Sequence, residues 1–145
     1  RSRGLGDVYK RQDKTTENRG FFHIPITASY EPINLSLSKG IINALSNNYL
    51  KPHEQRAIQK LPEFQRLSQL ECSDTQAIIK CLSTVRKKFN RPIIIVIDEF
   101  GKNLEFMAHH PDKGDILALQ LLAESLDMYL WVCLHLQIYR LSLIV

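Results

Sequence analysis

The chain has 145 residues, 44% of them hydrophobic, with 19 basic and 15 acidic side chains for a formal charge of +4. That fits one globular domain with a real core, and the lack of any repeat or low-complexity tract excludes a solenoid or fibrous protein. Arg1, Arg3, Lys10 and Arg11 against Asp7 carry a net +3 of the charge, so the rest carries +1; the basic balance is then no evidence for a nucleic-acid partner, although it leaves one open.

The first twelve residues differ in character from the rest of the chain. Residues 7 to 12, Asp-Val-Tyr-Lys-Arg-Gln, look like the translation of a transposase mosaic-end adapter used to prepare sequencing libraries. Its reverse complement encodes Leu-Ser-Leu-Ile in one frame, as at Leu141 to Ile144, a match of four common residues. Residues 1–12 and 141–145 are therefore set apart as adapter-derived, and the expected domain is 13–140, a fragment of a longer gene. The charged front end has no apolar segment of the kind a signal peptide needs. Near the other end, the apolar stretch Met128 to Val145 is broken by His135, Gln137 and Arg140 and makes a poor membrane span. Cys72, Cys81 and Cys133 lack metal-ligand spacing, and an odd number within apolar patterns suggests packed, reduced thiols in a cytoplasmic protein.

In chain order, Phe21 to Thr27 is a short β-prone run in which Pro25 cannot donate to a ladder, which places the strand near an edge. Pro32 suits the first turn of a helix carrying Leu37, Ile41 and Leu45 and running to about Asn48. Pro52 opens another helix with Ala57, Ile58 and Leu61, interrupted at Pro62 and resumed through Leu67 and Leu70. Ser73 is the expected cap of the clearest amphipathic segment, whose stripe is Ile78, Leu82, Val85 and Phe89. Asn90-Arg91-Pro92 ends it. Arg86, Lys87 and Lys88 with Arg91 form a basic cluster that reads as a solvated helix end complementing the dipole.

Ile93 to Ile97 is an unbroken aliphatic, β-branched run that leads directly into Asp98-Glu99. Without a polar face, such a strand is expected to be covered on both sides, in the middle of a parallel sheet. Its terminal acids then stand at the rim where these sheets bind ligands. Phe100 to His110 read as a loop and short helix closed by Pro111, and Asp115 as the cap of a helix with Ile116, Leu119, Leu122, Ala123 and Leu126. Tyr129 to Leu134 is a last strand with His135 at its C-terminal end.

Strand, helices, strand with acids, helix, strand: this order and the segment Ile93 to Glu99 resemble the middle of an AAA+ or related P-loop ATPase core. More closely, IVIDEFGKNLEF with HHPDKGDILALQLLAE and LWVCLH resembles a set of prokaryotic ATP-binding proteins, some thought to serve mobile elements or anti-phage defence. The expected fold is thus α/β, an incomplete P-loop core with a parallel sheet and flanking helices. The resemblance implies that Asp98 is a Walker B aspartate holding Mg²⁺ through water, that Glu99 is the catalytic base or water-orienting acid, and that His135 is a polar sensor near the γ-phosphate of ATP. It also implies a homo-oligomer or multi-subunit assembly. No G-x-x-x-x-G-K-[ST] occurs in the chain, so the fragment is expected to bind ATP poorly and hydrolyse essentially none.

Plainer readings stand beside these. The acids could cap the next loop, making the domain a non-catalytic interaction scaffold, or could serve a metal-dependent phosphotransferase of another doubly wound fold. His135 could be a packing or hydrogen-bonding residue, and Lys102 and Asn103 could lie in a solvated loop or face a bound phosphate or another subunit. His109 and His110, near Asp112 and Asp115, suggest a metal site only weakly, because adjacent histidines point apart on a helix. Phe106 and Trp131 read as core residues.

Overall fold

The computed structural model describes residues 20–47, 50–69, 74–113, 116–126, 129–134 and 137–141, with side-chain surroundings as far as residue 125. These hold four strands, β1 (Phe22–Thr27), β2 (Ile93–Asp98), β3 (Tyr129–Leu134) and β4 (Gln137–Leu141). Six helices accompany them: α1 (Ile33–Ser46), α2 (Pro52–Gln59), α3 (Pro62–Gln69), α4 (Thr75–Phe89), α5 (Gly101–His109) and α6 (Leu117–Leu126). The strands form one sheet in the order β1-β2-β3-β4, the first three parallel and β4 antiparallel to β3. The chain is therefore an α/β protein, with helices in the crossovers that parallel neighbours require. The hairpin strand β4 had no counterpart among the expected elements.

β1 alternates cleanly: Phe22, Ile24 and Ile26 are buried, His23, Pro25 and Thr27 exposed. It lies at the margin of the sheet, as Pro25 foretold. The amides of Phe22 and Ala28 donate to the carbonyls of Pro92 and Asp98, both at 2.9 Å, so even-numbered residues face β2. Pro25 is odd-numbered, and its missing N–H falls on the side away from β2, where no strand among the described residues pairs with β1.

β2 is interior to the sheet, yet it is not covered on both faces as its composition suggested. Ile93, Ile95 and Ile97 are buried, whereas Ile94 is half-buried and Val96 is 39% exposed. In register, Phe22, Ile24 and Ile26 sit beside Ile93, Ile95 and Ile97 and share one core, while His23, Pro25 and Thr27 sit beside Ile94, Val96 and Asp98 on the open face. The reason is topological. Chain order and spatial order coincide from β1 to β3, and successive crossovers of the usual right hand that step in one direction place their helices on one face.

That face carries the core. Leu37, Ile41 and Leu45 of α1, Ile58 of α2, Leu67 of α3, Ile78, Leu82 and Val85 of α4 and Leu119 and Leu122 of α6 form one cluster with the buried residues of β1 and β2. α1 approaches β1 so closely that a Cβ on Gly40 would lie 2.4 Å from Ile26 Cγ1. Pro32 precedes the first turn of α1 as its N-cap. Proline divides α2 from α3 at Pro62 as expected. The cap of α4 is Asp74, whose Oδ1 accepts from the Ala77 amide at 2.6 Å, one residue past the expected Ser73. Asn90 ends α4 in the left-handed conformation (φ 46°), which asparagine tolerates well. Ile116, expected on the apolar face of α6, is exposed.

Arg91 leaves the basic cluster to which its sequence position assigned it. Its Nη1 lies 3.4 Å from Glu54 Oε1, its Nε donates to the Gly20 carbonyl at 2.8 Å and its Nη2 to that of Phe21 at 3.2 Å. The guanidinium also covers the Phe22 ring at 4.1 Å. Glu54, buried at the start of α2, accepts from the Lys51 amide through its other oxygen. Lys87 and Lys88 remain exposed in the last turn of α4, where positive charge complements the dipole.

Candidate functional site at the C-terminal end of the sheet

β2 ends at Asp98, in register with Thr27 of β1, and both side chains are exposed on the open face. The chain must turn from the strand into α5 within two residues. It does so through Glu99 in the left-handed region (φ 55°), a conformation unfavourable for a residue with a long side chain. Asp98 supports the turn, because its Oδ1 accepts from the Glu99 amide at 2.8 Å while its carbonyl accepts from Ala28. A carboxylate offers about four acceptor sites, so one such bond does not exhaust it. The Glu99 carbonyl accepts from the Lys102 amide at 3.0 Å, and Lys102 Nζ lies 2.5 Å from Glu99 Oε2. That ion pair is 50% and 43% exposed at its lysine and glutamate.

Asn103, in the same helical turn, is fully buried and not in a solvated loop. Its two Nδ2 hydrogens are shared among three acceptors, the Ser29 carbonyl at 3.1 Å, the Glu31 carbonyl at 2.8 Å and Ser36 Oγ at 3.0 Å. Ser36 Oγ donates onward to Glu31 Oε1, and Glu31 Oε2 pairs with Lys39 at 2.6 Å. One asparagine therefore ties the start of α5 to the connection between β1 and α1.

The far end of α5 is held by aromatic contacts. Tyr30 meets the Phe106 ring edge-on at 5.2 Å and its hydroxyl lies 3.1 Å from His109 Nδ1, while His110 stacks on Phe106 at 4.4 Å. Phe106 is half-buried in this surface cluster, not part of the core. The two histidines serve the docking of α5, and the described residues contain no group of three or more His, Cys, Asp or Glu side chains that could hold a metal ion.

Asp98 and Glu99 thus stand together at the rim where the C-terminal ends of β1, β2 and β3 meet. The third expected site residue, His135, lies outside the described residues. Lys102 stands beside the acids and pairs with one of them. A cavity of about 540 Å³ lies elsewhere, along β1 and lined by Phe21, His23, Pro25, Leu45, Leu50 and Arg91 among others, without Asp98 or Glu99. Sequence reading missed the structural part of Asn103, because a lone polar residue early in a helix carries no periodic signal. Thr27 and Tyr30 were also missed, since only the register and the fold of the loop bring them to this rim.

Among the described residues, no helix is long and apolar enough to cross a membrane. What fold and site together define is an α/β protein with an acid pair at the C-terminal end of an interior parallel strand. No protein-family model matches the sequence, and neither a curated protein nor a solved structure matches it.

Proposed function

We propose that the chain is a piece of a P-loop, AAA+-like ATPase in which Asp98 serves Mg²⁺ and Glu99 serves the attacking water. The observation that carries this reading is the placement of two adjacent carboxylates at the C-terminal rim of an interior parallel strand, with the second held in an unfavourable backbone conformation. Ligands of open α/β sheets bind at that rim, and strained backbone concentrates where function requires a fixed side-chain direction.

The donors fit the ion. Mg²⁺ takes oxygen ligands, keeps several waters and needs only one or two carboxylates when phosphate oxygens supply the rest. Asp98, with the Thr27 hydroxyl beside it in register, is such a donor set, and a bound Mg²⁺ would neutralise charge developing on the transferred phosphoryl group. Glu99 would orient the water and accept its proton, which requires the carboxylate to leave or share its contact with Lys102. The triphosphate itself needs a cradle of backbone amides and a lysine, and the sequence holds no G-x-x-x-x-G-K-[ST] to supply it. His135 as a sensor, an oligomeric assembly and a cytoplasmic site of action belong to the same proposal.

A structural role for the acids is the competing reading, favoured by the bonds each one makes: Asp98 to the Glu99 amide and Glu99 to Lys102. The two part company in the full-length protein. There Glu99→Gln retains Mg-ATP binding and abolishes turnover, and Asp98→Ala also weakens the dependence on Mg²⁺. Unchanged hydrolysis in both variants rejects the ATPase roles. Gene sequence upstream of Asp13 offers a cheaper check, since a strand followed by G-x-x-x-x-G-K-[ST] is expected within about 40 residues, the scale of a βαβ unit.

A further inference from the structure

We propose that Asn103 is the positioning residue of the acid pair, fixing where Glu99 presents its carboxylate by clamping the first turn of α5 to the β1–α1 connection. The inference rests on the reading of Glu99 as the water-orienting acid and goes further, by naming what holds that acid in place.

Glu99 sits in a closed ring of bonds. On one side the Ala28 amide donates to the Asp98 carbonyl, and Asp98 Oδ1 accepts from the Glu99 amide. On the other side the Glu99 carbonyl accepts from Lys102, and Asn103 N–H donates to the Phe100 carbonyl, which fixes the turn that carries Asn103. Asn103 Nδ2 then reaches the Ser29 carbonyl, one residue from Ala28, and the ring is complete. Its further bonds to the Glu31 carbonyl and Ser36 Oγ anchor it in a buried setting where each bond is costly to lose. Left alone, a glutamate relaxes out of a left-handed backbone conformation, and that relaxation would swing its side chain away from the rim.

Packing alone does not explain the residue. Asn103 is fully buried and its Oδ1 has no partner among the described residues, a desolvation cost that an aliphatic side chain of similar size avoids. What only the amide provides is a donor aimed at the connection. Leu104 and Met107 pack against the core and Tyr30 holds the far end of α5, so removing the clamp frees the first turn while the helix stays on the protein.

The test has two readouts and one control. In the present chain, Asn103→Ala is expected to speed amide hydrogen exchange at Glu99 and Lys102 by about tenfold or more relative to the α4 amides, as local opening does. Asn103→Ser, which keeps one donor, gives an intermediate effect and stands in if the alanine variant does not fold. The control is Leu45→Ala, which removes a buried side chain near Phe21 and Arg91 at the other end of the sheet and destabilises the protein away from the rim. In the full-length protein, Asn103→Ala lowers kcat for Mg-ATP by about tenfold with KM nearly unchanged, the signature of an interaction expressed in the transition state. Leu45→Ala lowers the melting temperature but preserves kcat. Unaltered exchange at Glu99 overturns the clamp, and equal kcat losses in Asn103→Ala and Leu45→Ala overturn the positioning role. Should Glu99→Gln hydrolyse ATP like the wild type, the reading of Glu99 has failed, and the exchange rates still decide whether Asn103 sets the geometry of that residue.

Discussion

The two ends of the parallel sheet use charge in opposite ways. At the N-terminal end, Arg91 and Glu54 form a pair only 15% and 7% exposed, and every arm of it is engaged with main-chain carbonyls, a helix-start amide or an aromatic ring. At the C-terminal end, Glu99 and Lys102 pair at 43% and 50% exposure, and Asp98 and Thr27 face the open side. Buried charge that is fully partnered holds strand and helix ends in place and is unavailable for anything else. Exposed charge on a rigid rim adds little to stability and is free to meet a ligand.

Breaking the buried pair gives the largest effect. Glu54→Leu leaves the Arg91 guanidinium without its counter-ion and is expected to cost about 3 kcal/mol in urea unfolding, whereas the double change Glu54→Leu with Arg91→Met recovers much of that loss. Cys81, buried in the core on α4, gives an effect that is confined to alkaline pH. Burial, with the Glu63 charge adding to it, raises its thiol from 9.0 to about 12. Well below pH 9 the thiol is neutral in both states. Between about 9 and 12 the unfolded chain releases the proton and the folded chain keeps it, so stability falls with rising pH by up to about 1.4 kcal/mol per unit. This additional slope disappears in Cys81→Ala.

At the exposed end the stability effects shrink, which sharpens the contrast. Glu99→Gly removes a left-handed strain of about 1–2 kcal/mol and adds flexibility to the unfolded chain, for a net gain of up to about 1 kcal/mol in thermal unfolding. A marked loss would show that the Glu99 side chain is structural. Smallest of all, Lys102→Ala changes stability by less than about 0.5 kcal/mol at moderate salt. A cost near that of Glu54→Leu would erase the distinction between the ends.

Much of this architecture is legible along the chain. The stripe Ile78, Leu82, Val85 dictates α4, the prolines at 52 and 62 place two helix starts, and Pro25 announces a marginal strand, because each rests on local sterics or on periodicity. Asp98 and Glu99 were legible as a pair for the same reason: one closes a strand and the other follows it directly. Arg91 was not, since its partners Glu54 and Gly20 are 37 and 71 residues away.

By itself, the sequence determined that an aliphatic strand would end in two acids after a helical crossover, because backbone propensity and side-chain period are local properties. Only the tertiary structure decided that one face of that strand stays open, that Glu99 takes a left-handed turn, and that Asn103 is buried beneath the rim. Those outcomes depend on the direction in which the crossovers step and on which distant carbonyls come within reach of a donor, and no neighbouring residue encodes either.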